Sequence, residues 1–246
     1  MNQTIELLKE HVSVRSFTNR KLTQEQVEEL VVSAQSASTA SFLQAYTIIG
    51  IEEEEEKKKI SKLAGDQAFI TEGSHFFIFC ADLQRHFALS KELKIDIQPT
   101  LDGIDAILVG SIDATLAAQN MTIAAESMGL GVCYIGGVRD NIEKISEILN
   151  LPEYVFPIYG LVIGYPNEKN NHKPRLPMNS IYHINEYKRD MKTDLDDYEK
   201  ETTLYYSDRS NDKKDRSWGE NTLRALARHP RLSMKKFLNS KGWAKR

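Results

Sequence analysis

One segment, residues 105–128, limits what this chain of 246 residues can fold into more than any other part of its sequence. It is rich in alanine, and a helix over these residues carries apolar side chains on more than one face. Gly129 follows it, and glycine is the residue that most often ends a helix. Acidic and amide side chains interrupt the segment, which excludes a membrane span. A helix of this kind must be either the central helix of a domain or the core of a dimer.

Four apolar runs predict buried strands, and they cover residues 46–51, 75–80, 132–135 and 155–165. Helical patterns lie between and before them. A capping box of Thr23 and Gln26 begins one helix. The charged run 52–59 places three Glu four positions before three Lys, which predicts a solvated helix face, and Asp140 with Glu143 is placed to cap another helix. Strands that alternate with helices predict an α/β or α+β fold with a covered sheet.

Charge and cysteine content narrow the class of protein and its organisation. Residues 207–246 hold 12 basic and 4 acidic residues, whereas residues 1–206 have a balance of −11. This cationic tail suits an anionic partner, such as a phosphate-bearing cofactor, a nucleic acid or the acidic body of the same fold. The sequence turns polar and helical after Tyr187, so we divide it into a domain, 1–187, and a basic helical extension, 188–246, packed on it or on a second subunit. Two distant cysteines and no visible export signal predict a cytoplasmic protein, and no metal-ligand spacing is present.

A polar cluster near the amino terminus is the first candidate site. In His11-Val-Ser13-Val-Arg15, alternation places the three polar side chains on one side of an extended segment. An imidazole, a hydroxyl and a guanidinium are a suitable set for binding a phosphate. A surface arginine with a capping serine is an equally good interpretation of these three residues alone.

A second candidate follows the third predicted strand. Tyr134, Ile135, Gly136 and Gly137 end that strand, and the two glycines either let a planar ligand approach the backbone or form a tight turn. The glycines at 129 and 131 follow a helix rather than a strand, which excludes a Rossmann dinucleotide site.

Two cationic loops are the remaining candidates. Lys173 and Arg175 flank a proline, which restricts the loop, so the pair either binds a ligand or belongs to a rigid solvated loop. Arg209 is followed by Lys213 and Lys214 in a polar stretch. Such a cluster can bind a phosphate, but it is more often a solvated basic loop.

Four motifs, taken in order, resemble one family: HVSVRSF at 11–17, SASTASFLQAY at 36–46, GLGVCYIGGVRDN at 129–141 and KPRLP at 173–177. Together they resemble the FMN-dependent nitroreductase and flavin reductase superfamily, in particular its NADPH-preferring, oxygen-insensitive nitroreductase group. The resemblance extends from Thr4 to Trp243. It implies an α+β fold with a central mixed sheet surrounded by helices, in which residues 1–187 form the FMN-binding domain. It also implies an intertwined homodimer with two FMN sites at the subunit interface.

The resemblance assigns the cations and their neighbours to the flavin. His11, Ser13 and Arg15 would hold the phosphate and ribityl end of FMN, helped by Arg175. Lys173 would lie near the pyrimidine edge of the flavin, where a cation stabilises the anionic reduced form.

The resemblance assigns a second set of residues to the ring system and to the other subunit. Thr39 and Ser41 would come from the partner subunit, and Gln67 would contact the ring system. The backbone of residues 134–137 would run along the flavin.

The implied activity is hydride transfer from NADPH through FMN to a nitroaromatic, a quinone or free flavin by a ping-pong mechanism, without a side chain as general acid or base. Arg209 with Lys213, or with Lys214 if the register shifts, would bind the 2′-phosphate of NADPH. At the second position this chain has a lysine where the family has an arginine, and lysine lacks the paired donors of a guanidinium. Two alternatives remain: a flavin-binding carrier or sensor with little turnover, and a nucleic-acid-binding tail, which lacks aromatic residues for stacking on bases. We expect neither a nucleic-acid nor a membrane partner.

Overall fold

The structure, a computed structural model, describes residues 2–168, 170–209, 217–228 and 230–246, without the side chains of residues 208 and 209. The chain forms two compact units. The first contains residues 1–170 and 231–246, and the second contains residues 171–230. The predicted boundary at 187/188 lies inside the second unit, because the change to a polar composition comes later in the chain than the end of the first unit.

A four-stranded antiparallel sheet forms the centre of the first unit, with the strand order β1–β2–β4–β3. The strands are β1 Tyr46–Ile51, β2 His75–Asp82, β3 Gly131–Ile135 and β4 Val155–Gly164. Each lies within two residues of the run that predicted it. All three strand pairs are antiparallel, and the parallel pairing in the described residues is the isolated bridge between Ser13 and Val132. The parallel part of the predicted mixed sheet is therefore small, because apolar runs carry no information about strand direction.

Twelve helices are found in the described residues: α1 Gln3–Lys9, α2 Gln24–Gln35, α3 Glu54–Leu63, α4 Phe69–Glu72, α5 Gln84–Leu93, α6 Gln98–Leu101, α7 Asp105–Ser127, α8 Ile142–Ile148, α9 Met178–Ile181, α10 Lys192–Arg209, α11 Trp218–Arg228 and α12 Met234–Ser240. Short 3-10 turns cover Ala40–Phe42 and Gly136–Arg139. The predicted capping box is confirmed, because the Thr23 hydroxyl accepts from the Gln26 amide and the Gln26 side chain accepts from the Thr23 amide.

The sheet separates two apolar cores because side chains alternate between its faces. On β2, Phe77 and Phe79 pack into the core that contains α2 and α7. Phe76 and Ile78 point the other way, into the core that contains residues of α3, α4 and α8. The sheet is therefore covered on both faces, as the alternating strands and helices predicted.

The long helix α7 has the predicted character. One side is buried, mostly through alanines that pack in the first core. Gly110 on that side lets the helix approach the sheet, since an added Cβ would lie 2.8 Å from the Cβ of Ala81. A second, apolar side is exposed in the single chain, with Leu108 51% and Ile112 54% exposed. The prediction of more than one apolar face is confirmed.

One local prediction was confirmed for most of its residues but not for Lys57, and another was wrong. Lys57 of α3 is buried, and its Nζ donates to the carbonyl of Ser74 at 3.2 Å. One of the three lysines in the charged run is therefore not solvated. Asp140 does not cap α8; it forms an ion pair with Arg231, whose Nη2 lies 2.8 Å from Oδ1. A residue distant in sequence competes for the carboxylate, and local spacing cannot reveal this.

The second unit is helical and is held together around Tyr198. The Trp218 ring lies 5.7 Å from the Tyr198 ring, and the Tyr198 hydroxyl donates to the carbonyl of Pro174. The Glu199 carboxylate accepts from the amide of Gly219 at 2.7 Å, which joins α10 to α11. Of the helices in the described residues, none combines the length and the apolar character that crossing a membrane requires.

Candidate functional site

The amino-terminal cluster lies against β3. The amide of Val14 donates to the carbonyl of Val132 at 2.8 Å, next to the bridge between Ser13 and Val132. Val14 is buried, and Gly131 makes room for it, because a Cβ at Gly131 would lie 2.7 Å from the Val14 side chain. Arg15 is exposed. The β3 ladder therefore fixes the backbone of this cluster, and alternation directs Ser13 and Arg15 away from the buried Val14.

Arg15 is close enough to β3 to act on its side chains. Burial raises the pKa of the Cys133 thiol, and the Arg15 guanidinium opposes this shift. The positive charge therefore lies beside the strand that leads to the two glycines. This is the arrangement that a ligand with a phosphate at one end and a planar ring at the other requires.

The imidazole of His11 has a partner that sequence reasoning missed. Its Nδ1 lies 2.6 Å from Oε1 of Glu126, and the Glu126 side chain is 12% exposed. Because an ionised carboxylate only accepts, Nδ1 carries the hydrogen, and the pair fixes the orientation of the ring. One signal was present in the sequence: a Glu in the last turn of a helix opposes the helix dipole and so calls for a partner.

The Gly136–Gly137 turn and Gln67 are neighbours, as the resemblance implies. A Cβ on Gly137 would lie 2.1 Å from the carbonyl oxygen of Ala64 and 2.8 Å from Nε2 of Gln67. Only glycine fits at position 137. Gln67 Nε2 itself donates to the Ala64 carbonyl. The structure therefore brings Gln67 to the end of β3, beside a stretch of backbone without a side chain.

Arg231 binds the backbone of this turn, and the sequence did not indicate this contact. Its Nη2 donates to the carbonyl of Gly136 at 3.3 Å, and its Nε donates to Asp140 Oδ1 at 2.9 Å. Arg231 has a positive φ of 37°, an uncommon conformation for a side chain of this size. The turn is thus fixed from both the sheet and the carboxyl-terminal segment.

Tyr134 and Ile135 can offer a ligand little beyond their backbone. Ile135 is 1% exposed. The Tyr134 hydroxyl accepts from Thr122 at 3.1 Å and donates to Gln119 at 3.4 Å, both on α7. Burial is the main cause that raises the pKa of Tyr134. These contacts suit the implied role of the 134–137 backbone. The raised pKa means that the tyrosine releases its proton less readily.

Thr39 and Ser41 lie in a separate segment. Ser41 is exposed, and the buried hydroxyl of Thr39 has no hydrogen-bond partner within the part of the chain that the structure describes. The hydrogen bonds described for residues 40–45 from other elements come from α5, α7 and β2, not from β3 or residues 11–15. The structure of one chain therefore does not bring Thr39 and Ser41 to the cluster, as expected of residues that would act in the other subunit.

The cationic loop residues belong to the second unit. Lys173 and Arg175 are exposed, and the Arg175 guanidinium donates to the carbonyl of Lys173 at 3.3 Å. The Lys173 ammonium lies 6.0 Å from the centre of the Tyr206 ring. The side chain of Arg209, and Lys213 and Lys214 altogether, lie outside the described residues.

A cavity of about 470 Å³ borders the amino-terminal segment. Val12 and Val14 line it, together with Leu130, Glu10 and Glu126. The two acidic residues make it a poor site for a phosphate. Ser13 and Arg15 alternate with the two valines and so face away from the cavity, whereas His11 contacts Glu126 of the cavity lining.

The first unit thus fits FMN at two points. Residues 11–15 offer a guanidinium, a hydroxyl and an oriented imidazole, which suit a phosphate. At Gly136 an added Cβ would meet only the end of the Arg139 side chain, at 3.5 Å, so the backbone there allows close approach, which suits a planar ring.

Two family models cover nearly the whole chain. The model of the Nitroreductase family matches residues 8–165, and that of the Nitroreductase family, C-terminal domain, matches residues 173–246. The chain belongs to the nitroreductase family. The fold and the predicted resemblance are confirmed by this membership.

Individual members of the nitroreductase family resemble the chain over its full length. A Bacillus subtilis (strain 168) protein named FMN reductase (NADPH) is 44% identical, and the match covers 100% of both chains. The structure of the NfrA1 nitroreductase from B. subtilis has a TM-score of 0.97 at 43% identity, over 99% of this chain and 100% of that one. The NADPH:FMN oxidoreductase from Vibrio harveyi, solved with NAD+, has a TM-score of 0.90 at 35% identity, over 100% of both chains.

Proposed function

We propose that this chain is an NADPH-dependent flavoenzyme that contains FMN and reduces nitroaromatics, quinones or free flavin by a ping-pong mechanism. The observation that carries the proposal is the cluster of Arg15, Ser13 and His11 beside the strand that ends in the Gly136–Gly137 turn. The full-length similarity to an FMN reductase (NADPH) supports the same chemistry. FMN, when bound, supplies the hydride chemistry that no amino-acid side chain provides.

The residues of the chain bind and orient in this proposal. Arg15 and Ser13 hold the phosphate, and the Glu126 carboxylate sets the His11 ring beside them. The backbone of residues 134–137 runs along the ring system, and Gly136 has no side chain that would block it. On the resemblance alone, we also propose Lys173 and Arg175 as flavin-binding residues. No side chain needs to act as general acid or base.

We propose that the enzyme is an intertwined homodimer that acts in the cytoplasm. The exposed apolar side of α7 supports association, since a stripe of large side chains facing water is unusual on a monomer: Ile104, Leu108, Ile112 and Leu116. The second unit also exposes large apolar side chains, including Met178, Ile181 and Leu226. Cys80 and Cys133 are free thiols, which suits a reducing compartment. We expect the protein to sediment at twice its mass of 28.0 kDa.

We propose that Arg209, together with Lys213 or Lys214, binds the 2′-phosphate of NADPH. The support is the position of these cations in the sequence and their charge. Arg209→Ala should raise the KM for NADPH and leave the KM for NADH nearly unchanged, because only NADPH has that phosphate. Equal increases for both would show that the loop has a structural role only.

The deciding experiment combines copurification of FMN with its reduction. The purified protein should be yellow and should bleach under anaerobic conditions on addition of NADPH. Arg15→Ala should fold but lose most of the flavin, because a paired donor to a doubly charged phosphate is removed. Arg20→Ala is the matched control, since its guanidinium lies over the Tyr165 ring at 3.9 Å. Full flavin retention by Arg15→Ala would reject the site, and flavin that NADPH leaves oxidised would indicate a carrier.

A further inference from the structure

The segment that holds Thr39 and Ser41 has an unusual backbone. Ser41, Phe42 and Gln44 have positive φ angles of 47°, 58° and 54°, although none of them is glycine. Such conformations are unfavourable for residues with a Cβ, and three within four residues persist only where the surroundings enforce them. The Phe42 side chain is 81% exposed, so burial of the aromatic ring does not provide the compensation.

One buried carboxylate accepts hydrogen bonds at both ends of this segment. Asp113 of α7 is completely buried. Its Oδ1 accepts a hydrogen bond from the amide of Ala40 at 2.9 Å, and its Oδ2 accepts one from the amide of Ala45 at 3.0 Å. Hydrogen bonds to an ionised carboxylate are stronger than those between neutral groups. Asp113 therefore holds the strained residues 41–44 at both ends.

The packing of α7 brings the carboxylate into position. Gly110 lies one turn before Asp113 on the same side of the helix, and a Cβ there would lie 3.3 Å from the carbonyl oxygen of Ala45. The absence of a side chain lets the helix approach the start of β1. Burial, the main cause, raises the pKa of Tyr46, the first residue of β1; the Arg85 charge opposes this shift, and the Asp113 charge adds to it. The carboxylate is therefore near both the segment and the sheet.

Fixing a loop with a buried carboxylate has a cost in desolvation free energy. Removing it from water costs energy that two backbone amides must offset, and an apolar contact would stabilise the core at lower cost. The arrangement is understandable if the shape of the loop matters more than its stability. The buried Thr39 hydroxyl, which lacks a partner within the described ranges, lies directly before the first of these bonds.

We infer that Asp113 is a positioning residue of the flavin site. It fixes residues 40–45 so that Thr39 and Ser41 are presented to the flavin bound by the partner subunit. This inference rests on the proposed function, because Thr39 and Ser41 meet a flavin only in the proposed dimer. Asp113 itself touches neither the flavin nor the substrate.

Asp113→Asn is the first test, because it keeps the size of the side chain while removing its charge and replacing one acceptor with a donor. We expect the dissociation constant for FMN, measured by quenching of flavin fluorescence, to rise about tenfold. Hydrogen exchange should accelerate in residues 36–46 and stay unchanged in β2 and β4. Asp105→Asn is the matched control, since Asp105 is exposed on the same helix; we expect wild-type values for both measurements.

Ala40→Pro is the second test, and it serves if Asp113→Asn does not fold. The substitution removes the backbone N–H that donates to Asp113. Position 40 is the first of a 3-10 turn, where proline is tolerated. The substitution should also weaken FMN binding and accelerate exchange in residues 36–46. An unchanged dissociation constant in the variant that folds would overturn the inference, and so would a rise accompanied by faster exchange across the whole sheet. A wild-type protein that binds no FMN would instead refute the proposed function, whatever the exchange in residues 36–46.

Discussion

Two segments of the first unit are assigned to the flavin, and they are held in different ways. The Gly136–Gly137 turn directly follows β3, whose residues pair with β4 from Gly131–Gly164 to Ile135–Gly160. Arg231 adds a further bond to its backbone. Residues 40–45 belong to no strand before Tyr46, and the charge of Asp113 holds both of their ends. The first segment follows a paired strand, whereas the second is held by separate hydrogen bonds. Asp113 binds both of its ends, and Arg85, His86 and the amide of Asp82 bind carbonyl groups of residues 43–45.

This difference determines how each segment can fail. The turn is limited by space, because the backbone of Ala64 lies where a side chain at position 137 would be. The 40–45 segment is conformationally strained, and both of its ends bond to the carboxylate of Asp113. Changes of volume should therefore damage the turn, and changes of charge should damage the segment.

Gly137→Ala should have the largest effect. The added methyl group would lie 2.1 Å from the Ala64 carbonyl oxygen, which belongs to the backbone and cannot rotate away. We expect the free energy of unfolding of the flavin-free protein to fall by about 3 kcal/mol. FMN affinity should fall by about 100-fold, corresponding to roughly 1.4 kcal/mol for each factor of ten.

Gly136→Ala is the control for the stability measurement. Its methyl group would meet only the end of the Arg139 side chain, at 3.5 Å, which is an ordinary contact. Chemical denaturation of the two flavin-free variants checks the difference. Equal destabilisation would show that the turn is sensitive to any side chain and not to the clash with Ala64.

The sequence predicted the sheet-bound segment better than the loop. The strand before Gly136 was visible as an apolar run, and the pair of glycines marked its end. The strain of residues 41–44 could not be predicted, because Ser, Phe and Gln carry no preference for a positive φ. Asp113 was visible only as a polar interruption of an apolar helix. Its partners lie about 70 residues earlier, and no local pattern connects them.

The same limit applies to Glu126 and Arg231. Each contacts a predicted site residue from a distant part of the chain, His11 in one case and Gly136 in the other. Single-sequence patterns report neighbours along a helix or strand, so they indicated candidate residues that the resemblance then assigned to the flavin. They did not find the residues that hold those residues in place.

Glu126→Ala should have the next largest effect. It removes a charge next to residues 11–15, the segment that lies against β3. Without the carboxylate, His11 loses the partner that fixes its ring. We expect the dissociation constant for FMN to rise about tenfold. Riboflavin, which lacks the phosphate, should bind as it does to the wild type. Glu143→Ala, an exposed carboxylate on α8, is the control, and an equal loss for FMN and riboflavin would place His11 away from the phosphate.

Arg231→Ala should have a smaller effect, because the turn keeps its strand. The variant removes one bond to the Gly136 carbonyl and an ion pair whose two side chains are 29% and 26% exposed. We expect a loss of about 1 kcal/mol in the free energy of unfolding. A double-mutant cycle with Asp140→Ala measures the pair directly. Lys235→Ala, exposed on α12, is the control, and the absence of coupling to Asp140 would show that the ion pair contributes nothing.

Acid should have the smallest effect, because it acts through a residue that belongs to neither segment. His75 is buried on β2; burial lowers its pKa, and the nearby Lys57 lowers it further while Glu52 opposes this. In the unfolded chain the imidazole takes up a proton as the pH falls through about 6.5. The folded state resists that proton, so stability should fall as the pH drops below 6.5, until the folded pKa is passed. The thermal midpoint of the flavin-free protein should therefore decrease between pH 7.5 and 5.5, and His75→Gln should make this decrease shallower. His75 belongs to neither of the two segments, and β2 pairs with both β1 and β4, so this loss of stability should not distinguish them. An equal decrease in the wild type and in His75→Gln would show that His75 does not cause the acid sensitivity.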